Sequence, residues 1–565
     1  MLIKKMIKSC LLAGCAMLSH CALSAASSAD LILTNGDIYT PNGWVESVAI
    51  KDGIIIGFDP EQYLTSSSTV VDLNGATVLP GFHDMHVHPL NSGLHKFQCR
   101  FAQGLSPETV QQKIAACVTE RKENEWITGG QWDAASFGQT PPHRKFLDEV
   151  SPNNPVVLRD ISGHSAWANS LALELAGITA DTPNPEGGII EKDSNGLPTG
   201  LLRESAAGLV YKNVPAYTQA QNVEALAWST QLMLSNGITS YTDAGVNEVA
   251  MKAYATLYDA GKLKQRVRGC NLYGSIVFSA ADEQVSADPI EQRNLYSRSR
   301  FSPDCVKIVL DGVPTDSHTA AMVDPYKDNS HASEERTRGL LLIEQEKLNA
   351  LVTDFDNKGL SVKFHAAGDA AVKAGLTAIE AARKSNGFSG VLHDVGHSSF
   401  VQMDDIQRAR SIAATFEMSP YIWYPNPIIP DITKATGHER MKRWIPVKDA
   451  IDAGALVVPG SDWAVVPSVN PWIAIETLVT RQKPGGGKDV LAPQERISLK
   501  QAIDLFTVNS AKHLGKSDEV GSISVGLYAD LIIVDKNPFK IPTTELHNIK
   551  ILKTVIAGET VYQSE

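Results

Sequence analysis

Three histidines fall within six residues in "GFHDMHVHP" (81–89), directly after the apolar run "ATVLP" (76–80). In an extended strand alternate side chains share a face, so His86 and His88 can reach one ion together while Val87 points the other way. Taken alone, the pair suits a solvated histidine-rich turn as well as a metal site. Four more residues of metal-competent type sit at or near the ends of apolar, strand-like runs: Lys307 in "CVKIVLDG", His365 in "VKFHAAG", His397 in "DVGHSS" and Asp462 in "VPGSDW". Imidazole and carboxylate suit zinc, or manganese or iron where these are available. A divalent ion would bring the pKa of a water down to about 7 and make hydroxide available at neutral pH.

Such residues meet only if the elements carrying them converge. The runs "ATVLPGFHDMHVH", "GITSYTDAG", "CVKIVLDG", "LSVKFHAAG", "VLHDVGHS", "SIAATFEM" and "ALVVPGSDW" read as buried strands alternating with amphipathic helices. That alternation predicts an α/β fold, a parallel (β/α)8 barrel of the TIM type, whose C-terminal strand ends gather on one face. In "EKLNALVTDFDNKG", Leu348, Leu351, Val352 and Phe355 recur at helical spacing and Gly359 stops the helix. Both chain ends have a different texture. Short alternating strands fill 30–82, with "KDG" (51–53) as a hairpin signal, and the same pattern returns over 516–565. The two segments predict one composite β-sandwich flanking a barrel over 83–515. Within that barrel, 95–240 is Gly/Pro-rich and irregular and reads as an inserted subdomain over the mouth.

The chain has 565 residues and a formal charge of −12; residues 1–29 carry Lys4, Lys5 and Lys8 and no acid, so the remainder stands at −15. An acidic surface of this kind argues against nucleic acid or an anionic membrane as partner, and its sign says nothing about the substrate. With 43% hydrophobic and 20% charged residues, wholesale disorder is excluded. Residues 1–29 have the basic, apolar and small-residue succession of a signal peptide, which predicts export to the periplasm or beyond. "LAGC" (12–15) also has the form of a lipoprotein box ending at Cys15, behind a very short apolar run. Cys10, Cys15 and Cys21 lie in this leader. The other four, Cys99, Cys117, Cys270 and Cys305, allow three disulfide pairings or buried free thiols.

At "LPGFHDMHVHP", "SGHSAWANSLALELAGI", "GLPTGLLRE", "VKIVLDG", "KFHAAGDAAV", "PGSDW" and "RISLKQAIDLFTVNSAKHLG" followed by "GSISVGLYADLIIVDKNP", the sequence resembles the metal-dependent amidohydrolase superfamily. Within it the sequence is similar to the amidohydrolase-3 branch, which includes YtcJ-type hydrolases and N-substituted formamide deformylase. The resemblance implies His86 and His88 as ligands of a first metal, His365 and His397 as ligands of a second, and Asp462 as ligand and general base. It implies a carboxylated Lys307 bridging the two, with Glu204 as the rival bridge. One ion or two, zinc before manganese or iron, would serve. His83 falls outside the ligand set, on a loop or behind the ligands, and Asp84 is expected to accept a ring N–H from a ligand histidine. His164 is expected in the pocket as a donor to the oxyanion, with Trp132, Arg159 and Trp463 as pocket walls, or, for the two tryptophans, as core packing.

The reaction these residues imply is hydrolysis of an amide or other non-peptide C–N bond. The same ligands could serve ester or phosphoester hydrolysis or isomerisation, because fold and ligands do not fix the bond cleaved. A secreted binding protein that had lost catalysis would keep the barrel, but the full ligand set speaks against it. A homodimer is compatible with the sequence.

Overall fold

The computed structural model describes residues 28–102, 104–132, 134–137, 142–160, 165–185, 188–273, 288–315, 318–328, 337–422, 428–463 and 465–565. The leader, including Cys15, and His164 lie outside the described residues, as does the side chain of Glu204.

Eight parallel strands form one sheet in sequential order: β1 (Phe82–Val87), β2 (Ile238–Val246), β3 (Arg266–Tyr273), β4 (Phe301–Val309), β5 (Ser361–Ala366), β6 (His393–His397), β7 (Ala414–Met418) and β8 (Leu456–Pro459). The sheet curls back on itself. Just past β8, Trp463 makes a parallel bridge with Val87 of β1. The N–H of Asp462 donates to the carbonyl of His86 at 2.7 Å, and the N–H of His88 to that of Trp463 at 2.6 Å. The expected α/β barrel is therefore present and nearly closed. Seven of its strands contain the runs read from sequence. The one missed, β3, reads "RVRGCNLY", and its charged residues hide a buried strand: Arg266 pairs with Asp530, and Arg268 donates to the carbonyls of His513 and Leu514.

Helices cover the outside. The helix Gln345–Asn357 buries Leu348, Val352 and Phe355 and is followed by Gly359 at φ 73°, where a β-carbon would be strained. Removing each such side chain from water stabilises the fold by about 1.5–3 kcal/mol. Val306 and Ile308 of β4 point into this outer core, so Lys307 between them is left for the interior.

The two chain ends share a sheet. Its strands run in the order Glu559–Gln563, Ile551–Ile556, Leu531–Val534, Thr77–Pro80, Asp37–Thr40 and Gly43–Val45, with Ile532 opposite Leu79. A four-stranded sheet packs beside it, and Leu33, Ile38, Val48, Ile50, Val78, Leu531 and Ile533 form their common core. The "KDG" turn joins Val48–Lys51 to Ile54–Gly57, with Asp52 and Gly53 both at positive φ, as a two-residue hairpin loop requires. Between β1 and β2 lies a six-stranded sheet running from Gly188–Lys192 at one edge to Cys99–Arg100 at the other. The cysteines pair as Cys99–Cys117 within that segment and as Cys270–Cys305 between β3 and β4. Among the described residues no helix is long and apolar enough to cross a membrane.

Candidate metal centre

β1 ends by presenting His86 and His88 on one face, while Val87 joins the outer core. The chain beyond β8 turns at Asp462, which has φ 58°, and this left-handed turn sets its carboxylate beside both rings. Asp462 Oδ1 lies 3.6 Å from His86 Nε2 and 3.4 Å from His88 Nε2. The ligand atoms of the three residues all fall within 4.8 Å of one another. Two imidazole nitrogens and a carboxylate oxygen converging on one point are a donor set that zinc accepts.

The other residues read from sequence gather around this group. Lys307 Nζ is 3.4 Å from His86 Nε2. The His397 ring stands 4.7 Å from that of His86 and 4.5 Å from that of His365, centroid to centroid. His397 also has a left-handed backbone, φ 66°. Strained residues of this kind collect at functional sites, where the surroundings fix the conformation. His365 Nε2 lies 3.0 Å from the Gly312 carbonyl, to which it can only donate, so that Nδ1 becomes the ring's acceptor. His397 is held the other way round, with Nδ1 at 3.3 Å from Ser419 Oγ and Nε2 as the remaining nitrogen.

The electrostatics favour neutral rings. Burial, followed by the lysine charges, holds His86 well below the ordinary histidine value, and burial with Lys307 brings His365 to about 4. Lys307 is itself pushed down to about 8, by burial and by Lys363, its register partner on β5. Lys363 behaves differently: although burial works against its charge, Asp394 at 2.5 Å and Glu417 at 3.4 Å keep its amine cationic. Asp394 also meets His513 at 3.1 Å. Two buried lysines thus lie side by side, one compensated by carboxylates and the other facing the histidines.

Some expectations need correction. Asp84 does not accept a ring N–H. Its Oδ1 takes the backbone N–H of His86 at 3.1 Å and of Ser461 at 3.0 Å, fastening β1 to the loop after β8. The carboxylate on the His86 ring belongs to Glu417, whose Oε2 lies 2.5 Å from Nδ1. His83 is not on a loop but within β1, fully buried, with neither ring nitrogen hydrogen-bonded. Trp132 takes the core-packing alternative. It lies in the core of the inserted sheet, where its Nε1 donates to the Leu158 carbonyl and its ring meets Phe137 and Trp167. Arg159, in the same sheet, stacks its guanidinium on Tyr211 at 5.2 Å. Trp463 is at the centre, through its backbone pairing with His88, and its ring stands 6.2 Å from that of Trp228.

Glu417, Lys363, Asp394 and His513 escaped the sequence reading. For the first three the signal was there: a single charge inside a short apolar strand, as in "ATFEM", is costly unless paired.

Residues 69–562 match the model of the amidohydrolase family. Putative amidohydrolase YtcJ of Bacillus subtilis is 31% identical over 92% of this chain and 96% of its own. N-substituted formamide deformylase of Arthrobacter pascens is 27% identical over 94% and 98%. Among solved structures, an uncharacterized metal-dependent hydrolase from Pyrococcus horikoshii superposes with a TM-score of 0.73 at 25% identity, over 91% of this chain and 99% of that one. With the barrel and a family match over most of its length, the chain belongs to the amidohydrolase family and is a hydrolase.

Proposed function

We propose that this protein hydrolyses a non-peptide C–N bond, an amide or N-acyl bond of a small molecule, at a centre holding one or two divalent cations, zinc first among them. The observation that carries the reading is the convergence of His86, His88 and Asp462 with His397, His365 and Lys307 around them. The deformylase relative, whose name specifies a C–N bond, supports the choice of bond.

His86, His88 and Asp462 would hold the first cation, and His365 and His397 the second. Such a cation supplies Lewis acidity, acidifying a water and polarising a carbonyl. The chain's own groups do the rest. Asp462 takes the proton from the attacking water and returns it to the leaving nitrogen, so that the C–N bond breaks to give a carboxylic acid and an amine. Lys307 reaches no carboxylate within ion-pair distance among the described residues, and burial favours its neutral amine. That amine can add carbon dioxide, lose a proton and become the carbamate that bridges the two positions. Glu204 is the rival for that role.

Elemental analysis of the purified protein, with an amide panel beside it, tests the reading. One to two equivalents of zinc or manganese, together with chelator-sensitive release of an amine, are expected. A protein that takes up no divalent metal would sink it. We also infer export: the two disulfides fit an oxidising compartment. Mature protein found only in the cytoplasm would refute this.

A further inference from the structure

We propose that Glu417 is the positioning residue of this centre, a single carboxylate that fixes the ring orientation and tautomer of two histidines, His86 directly and His397 through Ser419. The inference rests on the metal reading above and adds a residue to it.

Glu417 sits on β7, fully buried. Both of its oxygens are used. Oε2 lies 2.5 Å from His86 Nδ1 and 3.4 Å from Lys363 Nζ, and Oε1 accepts from Ser419 Oγ at 3.4 Å. Ser419 Oγ in turn lies 3.3 Å from His397 Nδ1. Burial pushes the Glu417 carboxyl up to about 7, while the Lys363 ammonium at 3.4 Å favours its ionised form; in that form it can only accept, so His86 donates from Nδ1. Its Nε2 is then the lone-pair nitrogen, and Nε2 is the atom facing Lys307 and Asp462. The serine passes the same polarity on. Its hydroxyl proton goes to Glu417, so its oxygen is left to accept from His397 Nδ1, and the His397 Nε2 also becomes a donor to metal.

Lys363 supplies the counter-charge without touching the histidines, since it is shared between Glu417 and Asp394. The backbone around the carboxylate is cut to fit it. A β-carbon on Gly396 would stand 2.8 Å from Oε2, and one on Gly460 would stand 2.3 Å from Oε1. Two glycines, on β6 and after β8, thus leave space for this side chain in one place. Glu417 is not among the converging ligand atoms, so it acts on them rather than beside them.

The test uses the full mature chain, stripped by chelator and titrated with zinc against a competing chelator, for wild type, Glu417→Gln and Ser419→Ala. Groups that orient ligand histidines are worth about 10–100-fold in metal affinity. A loss of this size is expected for Glu417→Gln, with a smaller one for Ser419→Ala, and with metal-free melting temperatures close to wild type. Histidine-selective 15N NMR of the metal-free protein supplies an independent readout: His86 protonated at Nδ1 in wild type, and redistributed in Glu417→Gln. Unchanged affinity and tautomer in both variants would overturn the proposal. So would loss of one whole equivalent in Glu417→Gln with Ser419→Ala at wild-type affinity, which would make Glu417 a ligand. If wild type binds no zinc while the tautomer still depends on Glu417, the metal reading fails and the positioning role of Glu417 stands on its own. Should Glu417→Gln fail to fold, Ser419→Ala decides, through the affinity and the His397 tautomer.

Discussion

The backbone N–H of Asp462 donates to the carbonyl of His86 at 2.7 Å. The carboxylate that follows the last barrel strand and the first of the paired histidines are therefore parts of one hydrogen-bonded seam, although 376 positions separate them in the sequence numbering. The same hydrogen bonds that close the barrel hold these two residues side by side. Whatever loosens the seam must loosen metal binding too.

Asp84 is the clasp of that seam, because its Oδ1 accepts the N–H of His86 and of Ser461. Asp84→Ala leaves two buried amides without an acceptor, each costing about 1–3 kcal/mol. A loss of about 2–6 kcal/mol in urea denaturation is expected, together with weaker zinc uptake. Asp84→Asn keeps an oxygen in place and should retain most of both. Equal losses in the two variants would mean that charge, not the paired amides, is what Asp84 supplies.

Gly460 gives a sharper test of crowding. An added β-carbon would stand 2.3 Å from Glu417 Oε1 and 2.4 Å from His86 Cβ, inside any tolerated contact. Neither neighbour can retreat, since both are buried within the barrel. Gly460→Ala is expected to keep its far-UV circular dichroism yet lose at least half of its bound metal and nearly all of its hydrolytic activity. Full metal content would show that the barrel shifts to accommodate the methyl group.

The barrel and the candidate ligand residues were legible because they are local signals. "HVH" needs only a strand, and each strand end announces itself by an apolar run followed by a polar residue. What stayed hidden was long-range. Nothing near Glu417 tells that its partner is 331 residues away, and nothing in "RVRGCNLY" tells that Arg266 will meet Asp530. For Trp132 sequence left pocket wall and core packing both open, and the strand Ile127–Trp132 decides it, because its last side chain faces its own sheet's core.

His83 should make the protein acid-sensitive. Burial, with the Arg266 charge, takes its imidazole down to about 3, against about 6.5 when unfolded. Between those values the unfolded chain binds the proton and the folded chain does not. Stability therefore falls as pH drops from about 6.5 toward 3, by as much as a few kcal/mol. His83→Leu removes this contribution and two unsatisfied ring nitrogens at similar volume. Its stability at pH 7 should be no lower than wild type, and its slope between pH 6 and 4 shallower, the remainder coming from the other buried histidines. Parallel slopes in chemical denaturation would show that His83 is protonated in the folded state after all.

The bridge is decided by carbon dioxide. Lys307 and Lys363 are register partners on neighbouring strands, yet only Lys363 has carboxylates at hand. An uncompensated ammonium on Lys307 would repel Lys363 and any cation, whereas a carbamate there turns it into a carboxylate-like ligand. Metal-free protein prepared without bicarbonate is thus expected to take up one equivalent of zinc or less, and adding bicarbonate should raise uptake toward two. Lys307→Ala should stay at the lower value in either buffer, with its fold intact, because the amine it removes makes no ion pair among the described residues and its contact is the long one of 3.4 Å to His86 Nε2. If wild type reaches two equivalents without bicarbonate, and Lys307→Ala does so too, the bridging carboxylate comes from elsewhere in the chain and Glu204→Gln becomes the variant that should lose the second ion.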